Sequence, residues 1–498
     1  MNTTNSNNIT SAKSPKGDLG VGIFKTLVTR EIQGAIIDFR FWVVLILCIS
    51  IIPLSFYVSV KNYSQKLSNY QQEVQSYLDK TQVYSNFKAE GVHPPAPLGI
   101  FSQGLESKMP HKIFTSRDEG FKVEYAKPDN KKDLLGEIDF AFIVAFVLSI
   151  LAIVFTFSSI SGDKESGLLR LVLSNPVFRK QVLMAKLMGN YMVFLVPFIL
   201  SLLIALIIVY ISGIIPVFSK ELLIPALIML GISLLFILVM FNLGLWISSL
   251  TRNSILSVNV LLLIWIILGL VIPKISPIIG AAIYPVESVS VFESKKVLLR
   301  YNISKEWDNE EEDLYEKLRI QYRPESEGVS SDWKDINSAY DEQVLPIREK
   351  YESLLASEME KLVNDYNMRC NRQNNMARSI ARLSPIHLIN SLMAEFSGTG
   401  YSEADNFMQQ AKQYQADVTH NYYDKMILKT YRAKGSSMSM SNISNPDLPK
   451  KAPVLENYKY VGISQIFQQN WIDIALLGFY CLLFFVCGFV SFLRFDVR

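Results

Sequence analysis

The sequence predicts an all-α polytopic membrane protein: six transmembrane helices with two extracytoplasmic insertions, the second a long helical hairpin. Three observations carry that expectation. Half of the 498 residues are hydrophobic and 19% are charged, yet mean hydropathy is positive, so charges and apolar stretches are segregated along the chain. Six apolar windows reach the ~20 residues that a helix rising 1.5 Å per residue needs to cross a ~30 Å hydrocarbon core. Lys and Arg gather on one set of the short connections between those windows.

Residues 1–40 form a tail and an interfacial helix. From Ile23 to Arg40, the residues Ile23, Leu27, Ile32, Ile36 and Phe39 fall near one helical face, with Lys25, Arg30, Glu31 and Asp38 among the remainder. Such a helix is expected to lie on the inner membrane surface. The first span runs from Phe41 to Val60, between Arg40 and Lys61. Its length, the preceding tail and the sequence Ser59-Val60-Lys61 argue for a retained anchor rather than a cleaved signal peptide. The second to fifth spans, within residues 138–272, cover about Phe140–Ile160, Leu187–Ile211, Leu222–Leu250 and Ile255–Ile272. The sixth, within residues 471–498, covers Trp471–Leu493.

Orientation follows from the basic residues. With the N-terminus inside, Lys25, Arg30, Arg40, Lys164, Arg170, Arg179, Lys180, Lys186, Arg252, Arg494 and Arg498 are all cytoplasmic, whereas the short loop after the third span offers only Lys220 beside Glu221. Both termini are therefore expected in the cytoplasm, and the chain in the cell inner membrane.

This orientation puts segments 61–137 and 273–470 outside. The first holds a proline-rich turn at His93, Pro94, Pro95 and Pro97 but little periodicity, and its fold is not readable from the sequence. In the second, Ile336, Tyr340, Val344, Ile347, Tyr351, Leu355, Met359, Leu362 and Tyr366 recur at three- and four-residue steps and predict a long helix. Phe407, Ala411, Tyr414, Val418, Tyr422 and Met426 predict another, capped by Ser402 with Glu403 and Asp405 in its first turn. The two are expected to pair as an antiparallel hairpin. Between them Leu383, Ile386, Leu388, Ile389, Leu392, Met393 and Phe396 suit either the membrane surface and helix ends or a packed core. Gly435–Val454, rich in Ser, Asn, Pro and Lys, reads as a flexible link.

Several chemistries are disfavoured by residue type and position. A net charge of +3, without basic blocks interleaved with aromatics, argues against nucleic acid. Cys48, Cys481 and Cys487 lie in apolar runs and leave Cys370 alone in a polar region, so no disulfide framework is expected. A phosphate-cradling loop needs Gly directly before Lys; Gly20-Val21-Gly22-Ile23-Phe24-Lys25-Thr26 has Phe24 there. All four histidines, His93, His111, His387 and His420, fall in the outer segments without ligand spacing, and no metal is expected. Asp139 and Asp473 sit near span ends, where they anchor at the interface. Asn190, Asn242 and Asn259 lie deeper and are read as interhelical hydrogen-bonding residues that pack the spans. A lone Met438-Ser439-Met440 offers soft ligands but weak evidence for copper.

The segment 161–186 is the informative one. Ser161-Gly162-Asp163-Lys164-Glu165-Ser166-Gly167 is a charged turn; Leu168, Leu169, Val172 and Leu173 form an apolar face; Pro176 stops the helix; Arg179, Lys180 and Lys186 follow. Physically this is a short amphipathic helix at the cytoplasmic surface, with Glu165 near its positive end, able to transmit force between two spans. Spacing alone equally allows a plain basic surface loop.

Here the chain resembles the ABC type-2 permease family, whose pattern is an acidic residue, a Gly-Thr-Leu turn, a Leu-rich helix, then Ser-x-Pro-x-x-Arg and a downstream Lys. Glu165, Gly167, Leu169, Leu173, Ser174, Pro176, Arg179 and Lys186 match, and Leu168 stands where Thr is common. Weaker echoes occur at Glu137–Phe140 and Ser248–Ser254. The long segment before the last span and Leu383-Ser384-Pro385 are similar to one branch, which includes permeases of gliding machinery and of nitrous oxide reductase maturation. The resemblance implies a non-catalytic permease without a cofactor of its own. A separate cytoplasmic ABC ATPase dimer would bind ATP and Mg, and a second permease copy or paralogue would complete the assembly. Glu165, Gly167, Leu168, Leu169, Leu173, Pro176, Arg179 and Lys186 would form the ATPase-coupling element. Export of a substrate is the expected function; the alternative is a mechanical transmitter moving its ectodomain against an extracytoplasmic protein.

Overall fold

The computed structural model describes residues 16–80, 88–116, 120–125, 138–175, 177–216, 219–321, 333–423, 453–455 and 458–494. Glu137, Pro176, Met426, Met438, Met440, Arg498 and most of the Gly435–Val454 link lie outside these residues.

Among the described residues six helices are long and apolar enough to cross a membrane: Phe39–Asp79, Phe140–Glu165, Arg179–Ser212, Lys220–Leu250, Ser254–Ile283 and Ile463–Arg494. Each expected window falls inside one of them. Helix α1 (Lys16–Ile37) precedes α2 (Phe39–Lys80), which continues well beyond the apolar stretch ending at Val60. The second span is segmented into α3 (Phe140–Phe142), a π-helical turn (Ile143–Leu148), α4 (Ser149–Thr156) and α5 (Ser161–Glu165). Asp139 starts it as an N-cap, its carboxylate accepting the Phe142 N–H at 2.7 Å and the Gln103 N–H at 2.8 Å. The short α6 (Leu168–Leu173) leads to α7 (Arg179–Ser212), then α8 (Lys220–Leu250) and α9 (Ser254–Ile266).

Helix α8 is the centre of the bundle: Val239 to Leu245 are buried without interruption, which an amphipathic surface helix never shows. Since lipid is as apolar as Leu, span association depends on close packing and small residues rather than on the hydrophobic effect. Two glycines make that approach. A Cβ on Gly244 would lie 1.8 Å from Thr156 Oγ1 on α4, and one on Gly189 of α7 would lie 2.7 Å from Glu31 Cβ on α1. Around them Phe56, Phe140, Phe194, Phe198, Phe236 and Phe241 are fully buried in one continuous core.

The first insertion contains a three-stranded antiparallel sheet, β1 (Ala89–Val92), β2 (Pro110–Ser116) and β3 (Gly120–Tyr125), in the order β1-β2-β3. Ala89 and Ile113 of the sheet share a core with Phe407, Ala411, Tyr414 and Val418. Those four come from a helix of the second insertion, Tyr401–Val418, which the periodicity finds correctly. Its expected Ser402 cap is corrected: Gly400 is the N-cap residue, and buried Glu395 accepts the N–H groups of Tyr401 (3.1 Å) and Ser402 (3.2 Å).

Residues 271–383 form a compact unit of their own, made of α10 (Ile272–Ile283), α11 (Val289–Gln321) and α12 (Trp333–Ala381). The expected pairing of the two periodic runs is corrected. Helix α12 takes α11 as its partner, with Phe292 stacked on Tyr366 at 4.0 Å and Trp307 on Tyr351 at 6.2 Å. Glu311 accepts from Tyr340 (2.9 Å) and Arg348 (3.0 Å). The side chain of Ile336 lies outside the described residues, and Val344 and Tyr351 are buried as the seam requires.

The remaining elements belong with the spans: α13 (Pro385–Ser397), α14 (Tyr401–Val418) and α15 (Ile463–Arg494). Of the two settings open for the apolar residues of α13, packed core is the one realised. Ile386, Leu388, Ile389, Leu392, Met393 and Phe396 are at most 2% exposed, whereas Leu383 is 57% exposed.

Candidate coupling site

The site grows from a break in the second span. After Thr156 the chain turns, and the N–H groups of Ile160 and Ser161 both donate to Ser248 Oγ on α8 at 3.0 Å. These bonds set α5 against the junction between α8 and α9. The last carbonyls of α8 lack helical partners and carry its negative dipole end. Lys164 Nζ donates to two of them, the Ser249 carbonyl and the Thr251 carbonyl, the latter at 3.0 Å. The first N–H groups of α9 have the opposite need. Glu165 Oε2 accepts the Ser254 N–H at 3.2 Å and its hydroxyl at 3.1 Å, beside Asn253, whose side chain accepts the Leu256 N–H at 3.1 Å. One charged turn thus satisfies both ends of a helix break.

Gly167 then supplies the corner, at φ +75°, a conformation that costs glycine little and other residues about 1 kcal/mol or more. In α6 the expected apolar face is corrected. Leu169 is inward at 1% exposure, with Val172 and Leu173 half-buried, but Leu168 is 42% exposed. Successive helical residues point ~100° apart, so Leu168 shares its direction with Leu171, which is 68% exposed, rather than with Leu169. Phe178, 66% exposed, follows, so the link between two spans carries three outward apolar side chains.

The basic residues are engaged inside the chain. Arg179 Nη1 donates to the Leu493 carbonyl at 2.8 Å, binding the C-terminal end of α15. Lys186, 5% exposed, pairs with Asp163 of α5 at 2.6 Å and with Glu31 of α1 at 3.1 Å. Arg40, at the start of α2, donates to Ser158 Oγ at 2.6 Å and lies 4.6 Å over the Phe157 ring. The turn therefore holds α1, α2, α7, α8, α9 and, through Arg179, α15.

Of the expected residues, Glu165, Gly167, Leu169 and Leu173 are brought together at the turn, Leu168 points away from it, and Pro176 lies outside the described residues. Asn190 donates to Ser159 Oγ at 3.1 Å, and Asn242 to the Cys481 carbonyl at 3.1 Å. Asn259 is exposed on α9. Sequence reasoning placed Asp163 and Lys164 in the charged turn, Glu31 on the interfacial helix and Ser248 in a weaker echo of the family, but assigned none of them these contacts, which join positions distant in the chain. Gly20–Thr26 lies within α1, whose helical N–H groups are committed to its own backbone.

A family model described as ABC-2 family transporter protein matches residues 26–497, from within α1 past the last described residue of α15. The chain belongs to the ABC-2 transporter family. Members of this family are membrane components of ABC transporters, generally non-catalytic, and membership implies an ABC ATPase as partner. No curated protein matches the chain. In this ABC-2 chain the matched range takes in all six apolar helices and both insertions.

Proposed function

We propose that this ABC-2 family member is the permease of an exporter in the cell inner membrane, with both termini cytoplasmic, worked by a separate cytoplasmic ATPase dimer that holds ATP and Mg. The observation that carries the reading is the contrast between α5 and α6. Helix α5 is fixed by Lys164, Glu165 and Ser161 to the ends of two spans, while α6 leaves Leu168 and Leu171 exposed, as is Phe178 at the start of α7. An ATPase groove that buries the outward side chains pushes on a lever whose inner end is already attached to the bundle. The half-assembly is completed by a second permease copy or paralogue. The span Ser254–Ile283, with 17% of its apolar window buried and Asn259 exposed, leaves room for that contact, which supports the reading.

The roles divide cleanly under mutation. Leu168→Asp with Leu171→Asp abolishes co-purification of the ATPase. Glu165→Ala and Arg179→Ala retain the ATPase but lose the stimulation of its turnover by the permease. Unchanged association in the first variant, together with unchanged stimulation in the others, refutes the coupling role.

A second reading is favoured by residues 271–383, a separate helical unit that the chain enters from within the fifth apolar helix. In the branch with a long segment before the last span, which this layout resembles, the stroke would move that unit against an extracytoplasmic protein and carry nothing across. Reconstituted with its ATPase, the chain distinguishes the two by ATP-dependent substrate flux against displacement of a probe on α12.

A further inference from the structure

Midway along α2, where its apolar stretch gives way to polar residues, a groove of about 700 Å³ runs between α2 and the end of α7. Its α2 side is a single stripe, Tyr57, Val60, Lys61, Ser64, Gln65, Ser68 and Asn69, at the three- and four-residue steps of one helical face. The chemistry of that stripe changes along its length. Tyr57 and Val60 are apolar or amphipathic and face Ile208, Ile211 and Ile214 of the α7 end; from Lys61 onward every member is a cation, hydroxyl or amide. The change coincides with the end of both apolar segments, α2 at Val60 and α7 at Ser212. Tyr57 is 57% and Ile211 76% exposed, so the apolar half is open toward the bilayer.

Charge decides the occupant. Lys61 is the charged residue among the described lining residues, and no carboxylate lines the groove beside it. The neighbouring Lys66 is paired with Glu106 at 2.8 Å. We propose that this groove binds a membrane phospholipid with a net anionic headgroup, its phosphate on Lys61 with Ser64, Gln65 and Ser68 as donors, and an acyl chain between Tyr57 and the isoleucines of α7. A free anion leaves the apolar half empty, and an uncharged amphiphile leaves Lys61 without a counter-charge. The inference rests on α2 and α7 crossing the membrane and is independent of whether an ATPase drives the chain.

The test uses the full chain in phosphatidylcholine nanodiscs containing photoactivatable phosphatidylglycerol or, separately, photoactivatable phosphatidylcholine, with adducts mapped by mass spectrometry. The expected result is phosphatidylglycerol adducts concentrated on residues 57–69 and 208–214. Lys61→Gln lowers them about five-fold, the size expected of one lysine near a charged headgroup. Ser64→Ala with Ser68→Ala lowers them about two- to three-fold without altering charge, and decides the matter should Lys61→Gln fail to insert. Equal labelling by the two lipids, or yields unchanged in both variants, identifies ordinary boundary lipid and overturns the proposal. Loss of the adducts on adding millimolar inorganic phosphate identifies a soluble anion's site and overturns it equally.

Discussion

Removing the Lys186 cation is the most informative perturbation of the candidate coupling site. Its side chain is 6% exposed, whereas its partners Glu31 and Asp163 retain 27% and 28%. Breaking a buried ion pair by deleting one member costs about 3–5 kcal/mol, because a charge is left buried without compensation. Here two carboxylates are left facing each other, but each is a quarter wet and takes up water or a proton, so the expected loss for Lys186→Met is about 2–3 kcal/mol. The triple variant Lys186→Met, Glu31→Gln, Asp163→Asn removes all three charges and recovers most of that loss. Equilibrium unfolding in mixed micelles, followed by labelling of the Cys48 thiol, which is 2% exposed in the fold, measures both. A single variant within ~0.5 kcal/mol of the parent refutes the reasoning, as does a triple variant no more stable than the single, since the stated cause is the stranded carboxylates.

Three further outcomes follow from other contacts. Gly244→Ala forces α4 and α8 apart at Thr156 and costs about 1–3 kcal/mol; Thr156→Ala in the same chain restores part of it, read in the same unfolding assay as a favourable coupling between the two. His93 lies edge-on between Phe407 (4.7 Å) and Tyr458 (5.2 Å) with Nε2 sealed from solvent, and burial, with His111 nearby, pushes its pKa from 6.5 down to about 4. The unfolded chain binds the proton more readily, so the stability of this region is full above pH 6.5 and falls as pH drops toward 4. His93→Phe removes that slope in limited proteolysis at graded pH. Glu403, raised by burial while accepting from Tyr458 and from the Val461 N–H at 3.0 Å, slopes the other way: its contribution is full below the ordinary carboxylate range and is lost as pH rises through its raised value. Glu403→Gln flattens that dependence, measured by hydrogen exchange at Val461.

How far these features were legible depended on whether the local pattern or a distant partner decided them. The spans are readable because length and hydropathy alone set them. The extension of α2 to Lys80 is not, since the polar residues after Val60 give no apolar window. Nor is the sheet: β1 is four residues long and is stabilised by Phe407 and Tyr414, more than 300 positions away. The periodic runs at Ile336–Tyr366 and Phe407–Met426, the latter described as far as Tyr423, fall on two real helices, α12 and α14, without revealing their partners. The face of α12 meets α11, a helix with only Phe292, Ile303 and Leu318 buried and much of its pairing made by Glu310 and Glu311. An apolar seam states that something covers it and leaves open what.

At the candidate coupling turn the same limit applies. Glu165 and Arg179 stand out in the sequence as charges suited to contact a partner, yet both already bind helix ends of the chain itself, at the Ser254 N–H and the Leu493 carbonyl. Backbone groups at a helix end leave no side-chain signature, so no spacing rule reveals such a contact. They also make stiff attachments. A side chain bound to an exposed side chain can swing with it, whereas Glu165 and Lys164 bind positions that move only if α9 and α8 move. Helix α6 differs: Leu169 is its one fully buried side chain, and it joins α5 through Gly167, whose surroundings leave open space where a Cβ would be. Under the proposed function, a yielding outer arm on a fixed inner arm would convert a push at Leu168 and Leu171 into tilt of the helix ends, provided the corner itself resists bending. Gly167→Ala tests that proviso: strain at φ +75° reshapes the corner, so ATPase binding persists while stimulated turnover falls, and equal loss of both would place the lever elsewhere.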